Sequence, residues 1–534
     1  MALSETEVAA MQQNLDAVLN DNRLGERKLN DQEIARIEAL KELVDLKINP
    51  YPADKYEVTH YAKDVKAKFD DDNAEALGKV SLAGRLMAVR GKGAVSFAEL
   101  QDASGRVQLF IRRDNLCPDE DKTLYNTVVK KLLDLGDFIG VTGSVFRTKT
   151  GEISVRVEEL TFLSKVLRPL PVVKTDADGK VHDGFNNPEL RYRQRYLDLT
   201  VNPHIKKAFV MRSKLITTMR TFFDSKGWLE VETPILQPIH GGAAARPFET
   251  HHNSLDMPLY MRIANELYLK RLIVGGFDGV YEIGKMFRNE GMDRTHNPEF
   301  TSMEIYVAYK DYIWMMEMVE NLLETITKTL HDKTTVTVAG KEIDFKGPYE
   351  RMTMYESIQK YTDIDVSEMD EEGLRAVCKQ LHIGVDDTMG RGKLIDEIFG
   401  EKVEANLIQP TFITDYPIEM TPLAKKHRSK EGLVERFEIF VMGKELGNAY
   451  SELNDPIDQR QRFEHQLELA ARGDDEAMVL DEDFLRALEF GMPPTAGFGI
   501  GIDRLAMLMT NNTSIQEVLY FPQMKPEVLQ VEEN

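Results

Sequence analysis

Apolar residues follow different spacings in successive parts of the chain, and each spacing predicts a type of secondary structure. Near the N-terminus Ile34, Ile37, Leu40 and Leu43 recur every three residues, which is typical of one face of a helix. We therefore predict that residues 1–70 form a helical N-terminal extension. Across residues 71–166, short runs such as VQLFIRRD and EISVRVEELTFL are separated by Gly and Asp turns. This pattern predicts a small antiparallel barrel.

The remaining residues are predicted to form a linker and a larger domain. Residues 167–195 include LRPLPVVKTDADGK, whose Pro and Asp content predicts a connector. The larger domain, 196–534, begins with helical spacing between His204 and Phe223, and the run WLEVETPIL that follows is predicted to be a strand. Residues from about 350 to 410 are predicted to be a helical insertion beside a functional site.

A strand, a polar loop and a return strand are predicted between residues 280 and 309. The run VYEIGKMFRNE alternates like a strand and ends in Arg288 and Glu290, which would share one face. The loop 291–298 has a turn-forming composition. In the second run, FTSMEIYVAY, Met303 lies on an apolar face, whereas Glu304 and Tyr306 lie on a polar one. The polar face is predicted to line a site, although an ordinary exposed hairpin is the alternative.

A second segment, GFGIGIDRLAMLMT, is predicted to bind an anion. Glycines at positions 497, 499 and 501 allow a ligand to approach the backbone. Arg504 follows at the start of an apolar helix, where unpaired amides and the helix dipole also favour anions. A phosphate fits this chemistry. The alternative is a tight strand-to-helix junction with an incidental surface arginine.

Together these two segments resemble motifs 2 and 3 of class II aminoacyl-tRNA synthetases. The run WLEVETPIL resembles motif 1, whose proline, here Pro234, lies at the dimer interface of that family. The β-rich segment resembles the OB-fold anticodon-binding domain of the class IIb subgroup. The resemblance implies an α+β fold, in which an N-terminal OB-fold β-barrel precedes a class II catalytic domain with an antiparallel sheet flanked by helices.

Composition and charge narrow the class of protein. The 534 residues are 42% hydrophobic, enough for two or three domains with cores of their own. No segment is apolar enough to span a membrane, and the start lacks the features of a secretory signal, so a cytoplasmic location is expected. Cys117 and Cys378 lie far apart, which makes a disulfide scaffold or a zinc site unexpected.

The net charge of −22 argues against a nucleic-acid partner, because Lys and Arg supply most phosphate binding. The local balance differs between residues 81 and 113, where six basic residues face two acidic ones. An RNA-binding surface is therefore compatible with an acidic chain. Within the barrel segment, the resemblance implies that Phe97, Gln108 and Glu152 contact the anticodon. Aromatic, amide and carboxylate groups can recognise unpaired bases, although an aromatic residue in a barrel is more often part of the core.

Acidic residues near the motifs indicate which amino acid is the substrate. Glu266, Glu304 and Glu452 could surround a cation, and lysine carries two ammonium groups that each need a carboxylate when buried. Aspartate or asparagine enzymes of the subgroup would need a basic residue where Glu452 stands. The chain therefore resembles the lysine-activating members of class IIb. Its weaker regions of resemblance are the N-terminal extension, the loop around residues 118–127 and the helical insertion.

The resemblance implies a role for individual residues. Arg288 and Arg504 would be catalytic. The lysine pocket would comprise Gly242, Glu266, Arg288, Glu304, Tyr306, Asn448, Tyr450 and Glu452. ATP would be bound by Arg288, Glu290, His296, Phe300, Glu438, Gly501 and Arg504, and Mg²⁺ by Glu438 and Glu445. The implied partners are lysine, ATP, tRNA(Lys) and a second copy of the chain.

The implied reaction needs no protein nucleophile. Lysine's carboxylate would attack the α-phosphate of ATP, and the resulting adenylate would pass lysine to the 3′-terminal ribose of tRNA. The main work of the enzyme would be alignment and charge neutralisation. One alternative is a synthetase of the same subgroup for aspartate or asparagine. Another is a paralogue that lysylates a protein or only binds ATP, and the anticodon-like barrel argues against the protein-modifying form.

Overall fold

The computed structural model describes residues 3–171, 174–175, 181–182, 184–243, 245–386, 389–471 and 478–527. The chain divides into two compact units, Met1–Phe185 and Asn186–Asn534. Parts of the predicted linker, 167–195, lie outside the described residues. No helix in the described part of the chain is long and apolar enough to cross a bilayer.

The first unit places helices before and between short strands. Its helices are α1 (Glu5–Asp21), α2 (Asp31–Asp45), α3 (Ala62–Lys68) and α4 (Arg113–Leu116), and Leu124–Leu132 form a π-helix. Its strands are β1 (Arg23–Leu24), β2 (Arg27–Lys28), β3 (Lys79–Lys92), β4 (Val95–Gln101), β5 (Arg106–Arg112), β6 (Phe138–Arg147), β7 (Ile153–Ser164), β8 (Lys174–Thr175) and β9 (Val181–His182). Ser4 and Asn30 form capping boxes that define where α1 and α2 begin.

Five strands of the first unit close into a barrel in the order β3-β4-β5-β7-β6. All neighbouring pairs are antiparallel except β5 and β7, which run parallel. Alternate residues such as Leu82, Leu100, Leu109 and Val141 fill the interior and are fully buried. The predicted barrel is confirmed, and its alternation follows from the two-residue period of a strand.

The second unit contains eleven α-helices and thirteen strands in its described part. The helices are α5 (Pro188–Arg193), α6 (Arg195–Val201), α7 (Lys206–Asp224), α8 (Glu266–Val274), α9 (Tyr312–His331), α10 (Met354–Thr362), α11 (Glu371–Gln380), α12 (Arg391–Lys402), α13 (Pro456–Ala471), α14 (Glu482–Glu489) and α15 (Ile502–Met509). The strands are β10 (Leu229–Glu230), β11 (Leu236–Gln237), β12 (Glu249–His252), β13 (Met257–Met261), β14 (Gly279–Phe287), β15 (Glu299–Ala308), β16 (Thr335–Val338), β17 (Lys341–Asp344), β18 (Glu350–Thr353), β19 (Thr411–Pro417), β20 (Leu433–Val441), β21 (Lys444–Ser451) and β22 (Thr495–Gly501).

Eight of these strands form one sheet in the order β10-β14-β15-β22-β21-β20-β19-β18. The six central strands pair antiparallel with one another, whereas β10 and β18 at the two edges pair in parallel with β14 and β19. One face packs on α7, α9 and α15 through a large apolar core that includes Met303, Ile305 and Phe498. The predicted fold class, a barrel followed by an antiparallel sheet flanked by helices, is confirmed.

Two local expectations are wrong. The run WLEVETPIL is not one strand, because only Leu229–Glu230 and Leu236–Gln237 pair, and they join different sheets. Strand β14 ends at Phe287, so Arg288 and Glu290 belong to the loop rather than to a strand face. The hairpin is nevertheless continued by a hydrogen bond from the Arg288 N–H to the Pro298 carbonyl, 2.9 Å long. Tertiary pairing, rather than local alternation, decides where these strands stop.

Candidate functional site

Two rows of cross-strand neighbours form the floor of a cavity on the face of the large sheet that is opposite the apolar core. The first row runs Glu304, Gly499, Asn448, Glu438, and the second runs Tyr306, Gly497, Tyr450, Arg436. Strand β22 contributes only glycine to both rows, so side chains from the two flanking sides converge over a central strand that has none. The cavity has a volume of about 450 Å³.

The cavity brings together every residue that the resemblance assigns to lysine, ATP and magnesium. These residues come from the loop between β14 and β15, from β15, α8, β20, β21 and the residue after β21, from β22 and α15, and from the loop that contains Gly242. The full set is Gly242, Glu266, Arg288, Glu290, His296, Phe300, Glu304, Tyr306, Glu438, Glu445, Asn448, Tyr450, Glu452, Gly501 and Arg504.

Glycine is required at two positions of this wall. At Gly497, an added Cβ would overlap the Glu452 carboxylate and the Tyr306 ring. Gly242 has a φ of +87°, a region that favours glycine, and a Cβ there would lie 3.1 Å from the Cβ of Ala264. The glycines therefore allow acidic and aromatic side chains to pack directly against backbone.

Four charged side chains and a phenol meet at one end of the cavity. Lys270 is fully buried, and its Nζ lies 2.5 Å from Glu266 Oε1 and 2.5 Å from Glu452 Oε2. The Tyr306 hydroxyl donates to Glu304 Oε2 at 3.0 Å. Both carboxylate oxygens of Glu452 are buried and accept no hydrogen bond within the described residues, although Oε2 forms the ion pair with Lys270. We name Glu266, Lys270, Glu304, Tyr306 and Glu452 the acidic end.

Crowding changes the acidity of this end. Burial, reinforced by the nearby Glu266 carboxylate, raises the pKa of Glu304 to about 7. Burial also raises the pKa of Glu452 to about 8, with Lys270 opposing the shift and the Glu266 and Glu304 carboxylates adding to it. Burial disfavours the ionised form of these carboxyl groups, and a cation placed beside them would favour it. The acidic end is therefore suited to receive a cation.

The other end of the cavity is cationic. The Arg288 guanidinium lies over the Phe300 ring, 5.2 Å from its centroid, and its Nε has no hydrogen-bond partner in the described part of the chain. Arg504 Nη1 donates to the Glu445 carbonyl at 2.7 Å, and Nη2 lies 3.1 Å from His296 Nε2. The two arginines and the histidine can therefore face an anion. We name Arg288, His296, Phe300 and Arg504 the anion end.

Two carboxylates lie between these ends. Glu438 forms an ion pair with Arg436 and accepts a hydrogen bond from the Tyr416 hydroxyl at 2.9 Å. Burial raises the pKa of Glu438 to about 7; Arg436 opposes that shift, and the charge of Glu445 adds to it. A divalent cation would relieve this repulsion, and oxygen donors suit Mg²⁺. The described residues hold no cluster of three acidic, His or Cys side chains around one point, so the pair fits an ion that also takes substrate and water oxygens.

The sequence reasoning missed three residues of this site. Lys270 stands one helical turn after Glu266 in NELYLK, a spacing that could have indicated an ion pair. Its second partner, Glu452, comes from a distant segment and could not be inferred. Arg436 and Tyr416, which hold Glu438, also come from separate strands.

In the barrel, the three residues assigned to the anticodon lie on the outer surface. Phe97 is half-buried and points outward, since its neighbours Ser96 and Ala98 point into the barrel. The Gln108 amide donates to Ser154 Oγ at 2.9 Å, and Glu152 is exposed, 3.3 Å from Lys66 Nζ.

An aromatic strip that the sequence reasoning missed continues from Phe97. The Phe97 and Phe110 rings lie 5.3 Å apart, Phe110 contacts Phe146 at 5.5 Å, and the Arg156 guanidinium covers Phe146 at 4.8 Å. Half-buried rings beside a cation have the chemistry that can stack with unpaired bases.

The basic cluster between residues 81 and 113 is only partly free to meet a partner. Arg85 donates to the Gly136 carbonyl, while Arg106 and Arg113 pair with Glu99 and Asp114. In the described structure, no side-chain hydrogen bond or ion pair involves the other three basic residues, which are Arg90, Lys92 and Arg112. The local positive charge is therefore smaller than the residue count implies.

Comparisons with known proteins agree with this architecture. A family model for class II tRNA synthetases (D, K and N) matches residues 187–525, and one for the OB-fold nucleic acid binding domain matches residues 80–163. The lysine–tRNA ligase of Porphyromonas gingivalis (strain ATCC BAA-308 / W83) is 63% identical over 500 residues, which are 94% of this chain and 86% of the relative.

Two further relatives carry the same name. The lysine–tRNA ligase of Christiangramia forsetii is 60% identical over 506 residues, 95% of this chain and 88% of the relative. That of Azobacteroides pseudotrichonymphae is 59% identical over 501 residues, 94% of this chain and 100% of the relative. The resemblance predicted from the motifs is confirmed.

Proposed function

The chain belongs to the class II tRNA synthetases for aspartate, lysine and asparagine, and we propose that it is a lysine-specific member, an ATP-dependent lysine–tRNA ligase. The observation that carries the proposal is the acidic end, where Glu266, Glu304 and Glu452 gather opposite the cationic anion end. An aspartate or asparagine pocket would leave these carboxylates without a partner of opposite charge.

Lysine would lie with both ammonium groups among the three carboxylates. Its carboxylate would reach Arg288, whose Nε has no partner in the described structure. Gly242, Tyr306, Asn448 and Tyr450 complete the wall. The side chain of Asn448 donates to the Tyr450 hydroxyl at 3.0 Å, which orients both groups toward the cavity.

ATP would occupy the anion end. The adenine would stack on Phe300, and His296 and Arg504 would contact the phosphates, with Glu290 and Gly501 beside them. Glu438 and Glu445 would hold Mg²⁺, which supplies positive charge against the phosphate oxygens when it is bound. Arg504 is held by the Glu445 carbonyl, so its position is coupled to that of the carboxylate pair.

Two transfers follow from this arrangement. Lysine's carboxylate oxygen attacks the α-phosphorus of ATP, the bond to the β-phosphate oxygen breaks, and lysyl-adenylate and pyrophosphate form. A 3′-terminal ribose hydroxyl of tRNA(Lys) then attacks the lysyl carbonyl, AMP leaves, and the hydroxyl proton is released to the medium. The lysine carboxylate is already ionised near neutral pH, so Arg288 and Arg504 act by alignment and by stabilising charge.

The barrel would bind the anticodon. Phe97 and the aromatic strip offer ring faces for stacking, and Gln108 and Glu152 offer groups that can pair with base edges. Arg90, Lys92 and Arg112 supply positive charge on the same unit.

We further propose that the chain acts as a homodimer in the cytoplasm. Leu229, Ile235 and Leu236 lie within one short run, the motif 1 run, and each is more than two-fifths exposed. A second copy would cover them. Light scattering during gel filtration tests the dimer, and a monomer mass at micromolar concentration would refute it.

Amino-acid-dependent exchange of pyrophosphate into ATP tests the substrate. Lysine should drive exchange, while aspartate and asparagine should not. Exchange driven by aspartate or asparagine would replace the proposal with a sister enzyme of the same group. Charging of bulk tRNA with labelled lysine separates a tRNA ligase from a paralogue that only forms the adenylate.

A further inference from the structure

Lys270 belongs to the acidic end but is not among the described residues that line the cavity. It projects from α8, its side chain is fully buried, and it lies 2.5 Å from both Glu266 and Glu452. The rings of Tyr306 and Phe484 cover it, each with its centroid 6.0 Å from Nζ. Water has no access to the ammonium, so its interactions with the two carboxylates are not screened.

The formal charges at the acidic end follow from this placement. Glu266, Glu304 and Glu452 bring three negative charges, and Lys270 removes one, which leaves two. Free lysine carries two ammonium groups. Without Lys270, three carboxylates would face two ammonium groups, and a buried carboxylate without a counterion takes up a proton or turns away.

In a purely structural ion pair, both oxygens of the carboxylate would have partners within the protein. The ion pair between Lys270 and Glu452 differs from this. Oε1 of Glu452 points toward Gly497, where glycine leaves it room, and it accepts no hydrogen bond in the described structure. Lys270 holds the Oε2 oxygen and leaves the other oxygen for a ligand. The carboxylate is therefore fixed in orientation while half of it stays available.

We propose that Lys270 is a positioning residue that sets the charge and geometry of the amino-acid pocket: it spans Glu266 and Glu452, fixes their orientation and leaves two negative charges for the two ammonium groups of lysine. This inference rests on the proposed lysine substrate. It gives Lys270 no direct contact with the substrate.

Charge-altering variants test this inference through the lysine KM in pyrophosphate exchange. Lys270→Met keeps the length of the side chain and removes its charge, so the lysine KM should rise by about tenfold or more, while the ATP KM changes little. Lys270→Arg keeps the charge and should retain more lysine affinity than Lys270→Met. Lys165→Met is the matched control, because Lys165 is also fully buried between two carboxylates, in the barrel unit. It should lower the melting temperature without raising the lysine KM.

A sharper test asks whether Lys270→Met, which should raise the lysine KM of the unmodified chain, lowers it in a Glu452→Gln background. Glu452→Gln alone leaves one negative charge for two ammonium groups, and the lysine KM should rise. Adding Lys270→Met restores two negative charges, so the double variant should bind lysine more tightly than Glu452→Gln alone. The double variant also serves if Lys270→Met alone fails to fold, because its buried charges are again balanced.

The outcomes separate the two levels of inference. Lysine-specific KM changes that reverse in the double variant support the role of Lys270. An unchanged lysine KM in Lys270→Met, or a double variant weaker than Glu452→Gln, overturns it. Failure of the unmodified chain to exchange pyrophosphate with lysine would instead overturn the proposed function.

Discussion

Each unit of the chain buries a lysine between two carboxylates, yet the surroundings of the two lysines differ. In the barrel unit, Lys165 lies between Asp134 and Asp137 and also donates to the Leu132 carbonyl at 2.7 Å. Asp137 accepts further hydrogen bonds from the backbone N–H groups of Asp134 and Val166, each 2.8 Å long. This cluster is complete without a ligand.

In the sheet unit, Lys270 lies in a comparable ion-pair cluster that is not complete. Glu452 keeps a buried oxygen without a partner in the described structure, and this oxygen belongs to a residue that lines the cavity. The difference teaches that burial of a charged cluster does not by itself indicate a site. Unsatisfied oxygens beside a cavity do.

The largest effect is expected from Arg288→Ala. Its guanidinium is the cation placed between the acidic end and the anion end, so lysine-dependent pyrophosphate exchange should fall by about a thousandfold, as for loss of a group that stabilises transition-state charge. The melting temperature should change little, because Arg288 lies on a loop and its Nε donates no hydrogen bond in the described structure. Near-normal pyrophosphate exchange in Arg288→Ala would show that adenylate formation does not depend on Arg288.

Gly497→Ala should come next. The new Cβ would overlap the Glu452 carboxylate and the Tyr306 ring, so the lysine KM should rise by roughly tenfold to a hundredfold, as expected for a shift of binding groups by a fraction of an ångström. Gly499→Ala is the matched control, since its Cβ would lie 3.4 Å from Glu304 Cγ, an ordinary contact. Equal losses in both variants would argue against a specific role for the space over Gly497.

Phe97→Ala should impair only the binding of tRNA by the barrel unit. Loss of one stacking ring should raise the tRNA KM in aminoacylation by about tenfold, because stacking on an aromatic side chain contributes about 1–3 kcal/mol per base. Pyrophosphate exchange should stay unchanged. Tyr61, an exposed aromatic residue of the barrel unit outside the aromatic strip, provides the control, and Tyr61→Ala should alter neither reaction. Equal damage to both steps by Phe97→Ala would contradict an anticodon contact.

A smaller effect is expected from pH. Burial raises the pKa of Glu304 to about 7 and that of Glu452 to about 8, so both carboxyl groups take up protons more readily as the pH falls toward 6 in the ligand-free pocket. Lysine needs them ionised, so its KM should fall as pH rises from about 6 to about 8, by at most about tenfold per unit for each group. Binding should release protons, which calorimetry in buffers of different ionisation enthalpy measures.

The raised pKa values of Glu304 and Glu452 also predict how the stability of the folded protein changes with pH. Both carboxyl groups have a raised folded-state pKa, so they reduce the stability of the ligand-free protein progressively as pH rises from the ordinary value of 4.5 toward 8. Saturating lysine should oppose that loss, and its stabilising effect on the melting temperature should grow over this range. A lysine KM that does not change with pH would contradict the raised pKa of the two groups.

Much of the fold followed from local pattern. The alternation in the barrel strands and the helical spacing before Phe223 follow from the periods of strand and helix, and both reappear in the structure. The prediction of one strand for WLEVETPIL was wrong, because no partner strand pairs with this run along its whole length. Strand length is set by pairing between distant segments, which one segment cannot reveal.

The sequence by itself determined the chemical groups of the site and the order of the two units, because each motif is short and its residues are neighbours along the chain. Only the tertiary structure decided which groups meet. The glycines of β22 let side chains from both flanks converge on one cavity, and Lys270 reaches a carboxylate from another segment. The net negative charge of the acidic end depends on the ion pairs of Lys270. Such an ion pair forms only where the fold brings its two partners into contact.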